Sequence, residues 1–124
     1  MIDHVSIAVR DLAVATRFYE VVLGTLGMVR LETRSATVGF GKTYPEFWIN
    51  LRTDMTPSAD GNGAHICLRA RSTDIVDAFH AAAIGAGGTS DGAPGLRPHH
   101  GEGYYAAFVC DPDGNRVEAV TFVR

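Results

Sequence analysis

Residues 4–27 recur at 65–88 under a constant shift of 61 positions, without a gap. His4 falls on His65, Ile7 on Leu68, Val9 on Ala70, Arg10 on Arg71, Phe18 on Phe79, Leu23 on Ile84, Gly24 on Gly85 and Gly27 on Gly88. Apolar, aromatic, glycine and histidine positions that coincide in one register identify a duplicated unit. The repeat limits the fold more than any other feature. In a chain of 124 residues each copy is too small to bury a core alone, so the two must share a core or a cleft.

Each copy follows the same plan. In Ile2 to Val9, Val5, Ile7 and Val9 form an apolar face, and His4, Ser6 and Ala8 a small or polar one, as in a half-buried strand. Asp11 is placed to cap a helix carrying Val14, Phe18, Val21 and Val22 inward, and Gly24 to Gly27 ends it. Strands are predicted at Met28 to Thr33, Thr37 to Gly41 and Phe47 to Arg52. The second copy repeats the order. Ala64 to Ala70 alternates, Ser72 caps a helix with Ile75, Phe79, Ala82 and Ala83 inward, and strands follow at Thr89 to Asp91, Tyr104 to Cys110 and Arg116 to Phe122. Asp111-Pro112-Asp113-Gly114-Asn115 is a strong turn signal between the last two. The expected fold is α+β: paired βαβββ modules in a single domain over 1–124, with the first module over about 1–52, a linker over about 53–62 and the second over about 63–124. Each helix should cover one face of its sheet and leave the other curved and open, so that two modules make a cleft.

Composition narrows the partners. Eleven Lys and Arg stand against 14 Asp and Glu, and no basic stripe could neutralise a phosphate backbone, which argues against nucleic acid. No apolar run approaches the ~20 residues of a membrane span, and the chain opens directly in patterned sequence, the reading expected of a soluble cytoplasmic protein. Cys67 and Cys110 lie in apolar runs without close spacing, so they read as two buried free thiols and not as a disulfide or a zinc pair.

Three residues stand out as chemistry. His4 and His65 occupy the strand faces away from the helix-packing residues, and Glu118 places a carboxylate in an apolar strand opposite Val117 and Ala119. Singly, such residues are most often hydrogen-bonded or solvated. Together, with the histidines at equivalent points of a repeat, two imidazoles and a carboxylate form the ligand set of a divalent metal that keeps positions open for substrate. A metal also justifies an acid in an otherwise apolar strand.

Asp3-His4-Val5-Ser6-Ile7-Ala8-Val9 with Phe18-Tyr19, His65-Ile66-Cys67-Leu68, and Asp111-Pro112-Asp113-Gly114-Asn115-Arg116-Val117-Glu118 resemble the vicinal oxygen chelate superfamily. That group includes glyoxalase I, extradiol dioxygenases, methylmalonyl-CoA epimerase, fosfomycin resistance proteins and bleomycin-binding proteins. The resemblance covers nearly the whole chain, and the closing turn-strand-glutamate motif is its most specific part. It implies a divalent metal ion (Zn, Ni, Fe, Mn or Co) at His4, His65 and Glu118, a small-molecule substrate and a homodimer. Members of glyoxalase and epimerase type usually carry a fourth ligand, often glutamate, in the last strand of the first module. Here that strand reads Phe47-Trp48-Ile49-Asn50-Leu51, and Asn50 is the best match. An amide oxygen can ligate weakly but cannot shuttle a proton, so Asn50 does not match the usual base. The resemblance leads to lyase or isomerase chemistry on neighbouring oxygens first, and to dioxygenase chemistry next, because two histidines and a carboxylate also make an iron facial triad. A non-catalytic bleomycin-binding role and thiol transfer to an epoxide antibiotic are the other readings.

Around the cleft, Glu118, His99 and His100 are the candidate acid or base groups, with the two histidines in a Gly- and Pro-rich loop over Asp91 to Gly103. Trp48, Asn50, Arg97, Tyr104 and Tyr105 are the candidate substrate contacts; of the two tyrosines, alternation sends one toward the cleft and leaves open which. Arg69 reads as half of a salt bridge at a strand end.

Overall fold

The computed structural model describes residues 1–57 and 62–124. Part of the expected linker, residues 58–61, thus lies outside the described residues. The first copy forms β1 (Val5–Val9), α1 (Leu12–Gly24), β2 (Val29–Thr33), β3 (Thr37–Gly41) and β4 (Phe47–Leu51). The second forms β5 (Ile66–Arg69), α2 (Thr73–Gly85), β6 (Thr89–Leu96), β7 (Tyr104–Cys110) and β8 (Arg116–Phe122), with a 3₁₀ turn at Pro98–His100. Each copy makes a four-stranded sheet, ordered β1-β4-β3-β2 and β5-β8-β7-β6. The first strand of each copy pairs in parallel with the last, and the other pairings are antiparallel. A parallel pair needs a long crossover, which the helix and the intervening strands supply. The fold is α+β, as the repeat predicts.

Both helices start where the sequence places a cap. Asp11 Oδ1 accepts the Val14 N–H at 3.0 Å, and Ser72 Oγ accepts that of Ile75 at 3.3 Å. The buried face of α1 differs from the expected one. Ala15, Phe18, Tyr19, Val22 and Leu23 are buried, whereas Val14 and Val21 are exposed. Tyr19 displaces them because its hydroxyl finds a buried partner in the other module, so the ring enters the core without an unsatisfied polar group.

One apolar core serves both modules: Val9, Phe18, Tyr19, Phe40, Phe47 and Ile49 of the first join Val76, Phe79, Val109 and Val117 of the second. The helices touch each other, and each lies on its own sheet. Polar bonds stitch the same seam. Tyr19 Oη donates to Asp111 Oδ2 at 2.7 Å, Arg10 Nε to Asp113 Oδ1 at 2.7 Å, and Asn115 Nδ2 to the Ala8 carbonyl at 2.9 Å. The predicted turn is closed by Asp111, whose Oδ1 accepts the backbone N–H groups of Asp113 and Asn115 at 2.9 and 2.8 Å. Gly114 takes a φ of +85° there, which explains glycine at that position.

Two further expectations change. Much of the segment from Asp91 to Gly103 is strand and not loop: β6 runs to Leu96, its pairing with β7 shifting at Gly92 and Gly95. An edge strand tolerates Pro94 and these glycines because its outer side needs no partner. Both cysteines are free, but Cys67 is exposed and Cys110 half-buried, since each lies on its sheet's open side. Among the described residues no helix is long and apolar enough to cross a membrane.

Candidate functional site

The open face of the second module gathers around a buried acid. Glu118 is only 2% exposed, and Cys67 and Phe108 are its register partners on the neighbouring strands. His65 Nε2 lies 3.1 Å from Glu118 Oε1, and the Tyr104 hydroxyl donates to Glu118 Oε2. Tyr104 pairs in register with Phe122, so its side chain leans along the strands to reach the carboxylate. The intervening pair, Ala106 and Val120, is small enough to leave that path open. Burial and the bond to Glu118 hold the Tyr104 phenol above its ordinary pKa, so it acts as a donor near neutrality. Partial desolvation of its sulfur against the sheet, followed by the Glu118 charge, likewise pushes the otherwise exposed Cys67 thiol up to about 11. His100 stacks on the Tyr104 ring at 5.1 Å, and His99 meets His100 at 4.3 Å.

The bonding of His65 fixes its tautomer. Nδ1 lies 3.0 Å from the Gly63 carbonyl, which can only accept, so Nδ1 carries the proton. In that tautomer Nε2 turns its lone pair toward a carboxylate oxygen. Two acceptors facing each other call for a cation or a proton between them. His4 is prepared in the same way: Nδ1 lies 2.6 Å from Asp3 Oδ1, which leaves the lone pair on Nε2. A second partner that holds one ring nitrogen and frees the other is the usual support of a metal-ligating histidine. The donor types therefore fit a divalent metal.

His4 belongs to the first module's half of the face. Both His4 and His65 line a groove of about 460 Å³ between the modules. Nevertheless, among the described residues no three His, Cys, Asp or Glu side chains converge on one point within the chain. His4 also borders a second groove of about 450 Å³, shared with Ser6, Arg34, Thr37, Pro45, Trp48 and Asn50. Asn50 is committed at both ends of its amide, donating from Nδ2 to Ser6 Oγ and accepting the Thr37 hydroxyl at 2.7 Å. Trp48 lies across Gly39, where an added Cβ would come within 2.9 Å of the indole.

The remaining candidates divide. Arg97 bonds the Ala93 carbonyl at 2.6 Å and covers Phe108 at 5.6 Å, at the edge of the second module's face. Tyr105 points the other way and donates to Asp77 of α2 at 2.6 Å, so Tyr104 is the tyrosine on the cleft side. Arg69 covers the Phe122 ring at 4.6 Å, and among the described residues it makes no salt bridge. Sequence reasoning passed over Arg34, in the β2–β3 turn, because alternation does not give the direction of a turn residue. It placed Ser6 and Cys67 on the correct face but gave them no contacts.

Residues 1–119 match the family model described as Glyoxalase/Bleomycin resistance protein/Dioxygenase superfamily. A glyoxalase/bleomycin resistance protein from Albidiferax ferrireducens T118 is similar at 35% identity and a TM-score of 0.81, covering 95% of each chain. A glyoxalase/bleomycin resistance protein/dioxygenase family enzyme from Burkholderia phytofirmans PsJN shares the fold at 21% identity and a TM-score of 0.75, covering 98% of each. Glyoxalase I from Zea mays shares it at 22% identity and a TM-score of 0.73; 95% of this chain is covered, and it spans 44% of the maize chain. Among curated proteins no sequence matches. The family match over nearly the full length, together with the repeated βαβββ plan, shows that the chain belongs to the glyoxalase/bleomycin resistance protein/dioxygenase superfamily.

Proposed function

We propose that the protein is a metal-dependent lyase or isomerase acting on a small substrate with neighbouring oxygens, working as a homodimer. The observation that carries this reading is the hydrogen bonding of the histidines. Asp3 and the Gly63 carbonyl hold the Nδ1 protons of His4 and His65, and the freed Nε2 of His65 meets a buried carboxylate. His4, His65 and Glu118 would hold a divalent metal, with a second copy bringing the His4 half-site to the His65–Glu118 half-site. When bound, the metal supplies Lewis acidity at two neighbouring substrate oxygens.

The rest of the chemistry falls to side chains. Tyr104 holds one oxygen of Glu118 and so presents the other toward His65. Asn50, bonded to Ser6 and Thr37, shapes the first module's wall and carries no titratable proton. Proton transfer is thereby assigned to Glu118 and to the exposed His100, which stacks on Tyr104 and meets solvent. Oxygen chemistry would draw on the same three ligands, and the identity of the bound metal separates the two readings, iron favouring dioxygenation.

Metal analysis of untagged, chelator-free protein tests the proposal. Stoichiometric transition metal is expected in the wild type and loss in His65→Ala. His4→Ala and Glu118→Gln should each lose metal alone, whereas a co-refolded mixture should recover about a quarter of the sites, because each mixed dimer keeps one intact site. Unchanged metal content in His65→Ala would overturn the reading, and metal-free protein with tight aromatic ligand binding would support a sequestering role instead.

A further inference from the structure

We propose that the groove on the first module's open face binds a carboxylate, that the substrate is therefore a small organic acid, and that Arg34 recognises it. The proposal rests on the reading of this face as the substrate cleft, but its evidence is local. Among the described residues that line the groove of about 450 Å³, Arg34 is the sole Lys or Arg. That volume suits a small molecule.

Three layers set the guanidinium in place. Gly39 has no side chain, so the Trp48 indole lies close over β3: a Cβ at Gly39 would stand 2.9 Å from Trp48 Cζ3. The Arg34 guanidinium covers that indole at 5.2 Å from the ring centroid. A cation–π contact engages the group from the side of the indole and leaves N–H donors for another partner, and arginine grips a carboxylate with two parallel bonds.

Toward the described residues those donors are largely uncommitted. Glu32 reaches only Nε, at 3.4 Å, and the two side chains are 62% and 43% exposed. A long, solvated pair of this kind holds an arginine weakly. The acid that lines the groove itself, Asp3, accepts the His4 ring N–H at 2.6 Å. Asn50 and Thr37, bonded to each other, give the groove a polar floor, and Trp48 with Pro45 an apolar wall.

The chain has a single tryptophan, so its fluorescence reports on this groove alone. Chelator-treated, metal-free protein is titrated with 2-oxobutyrate and with its neutral amide, with calorimetry as a second measurement. The acid is expected to give a saturable signal and to bind at least about tenfold more tightly than the amide, the scale of a charge-assisted bidentate contact. Arg34→Gln should abolish the preference, Arg34→Lys should keep part of it, and Glu32→Gln should tighten the acid about two- to threefold by releasing Nε. A merely structural arginine would not improve on loss of its partner. Equal affinity for acid and amide, no binding of the acid, or an unchanged preference in Arg34→Gln would each overturn the proposal. Binding that persists in His65→Ala would support it even where the metal reading fails.

Discussion

Replacing Tyr19 by Phe removes one oxygen from the core and tests how the two modules are joined. The hydroxyl donates at 2.7 Å to Asp111 Oδ2, and both residues are buried, at 0% and 4% exposure. The ring and its packing survive the change. What is lost is a hydrogen bond to a buried charged acceptor, a loss of about 2 kcal/mol. For a domain of this size that lowers Tm by about 6–10 °C. The effect has a pH signature. Burial holds the Asp111 carboxyl above its ordinary pKa, and the Tyr19 bond is the largest of the hydrogen bonds that pull it back down. A folded-state value above the unfolded one means that the native state binds the proton more tightly. Stability therefore falls as pH rises from the unfolded value through the folded one, and is level above both. Loss of Tyr19 raises the folded value further, so the variant's deficit should be largest at pH 7. At pH 3, roughly a unit below the ordinary carboxylate value, Asp111 is neutral in both states and the lost bond is an ordinary one of about 1 kcal/mol. Urea denaturation at fixed protein concentration, followed by circular dichroism at both pH values, measures the difference. A deficit under about 0.5 kcal/mol at pH 7, or one larger at pH 3 than at pH 7, would refute the reasoning.

Four further changes test other links. Tyr104→Phe frees one oxygen of Glu118 and should weaken divalent-metal binding by about 10- to 100-fold, with the circular dichroism spectrum unchanged; titration against a chromophoric chelator reads it, and full affinity would show that Tyr104 does not support the carboxylate. Gly39→Ala puts a methyl within 2.9 Å of the Trp48 indole and of Pro45 Cβ, so Trp48 emission should shift while the second module keeps its His65–Glu118 contact; an unshifted spectrum would disprove the stacking. Asp11→Ala removes the cap of α1 and should cost about 1 kcal/mol in thermal or urea unfolding, as should Ser72→Ala at the equivalent point of α2.

The repeat made the architecture legible because duplication copies local signals: the caps Asp11 and Ser72, the helix-ending glycines and the alternating strands all occur twice. It also separated the cleft-side residues from the core, since period two fixes which way Ser6, Trp48, Asn50, Cys67 and Glu118 point. What escaped were contacts decided by distance along the chain. Tyr19 was not among the inward residues expected of α1, and Asp111, 92 residues away, supplies the partner that admits it to the core. The glycines and Pro94 between Asp91 and Leu96 spell a loop locally, and pairing with β7 overrides them. Arg34 sits in a turn, where only the neighbouring indole determines its direction. Alternation left open which of Tyr104 and Tyr105 faces the cleft, and the bond from Tyr104 to Glu118 became visible only once the small Ala106–Val120 pair showed how the ring could cross the sheet.

The bonds from Ala8, Arg10 and Tyr19 to the turn at 111–115 bear on how the two halves could have diverged. Duplication starts with interchangeable copies, each free to lose what the other retains. Here the turn that those bonds grip leads directly into β8, three residues before Glu118. The acid of one half is thus held in register by the helix and first strand of the other. Neither half can drift, be exchanged for its sister or be transplanted alone without moving that carboxylate, so inheritance acts on the pair as a single unit.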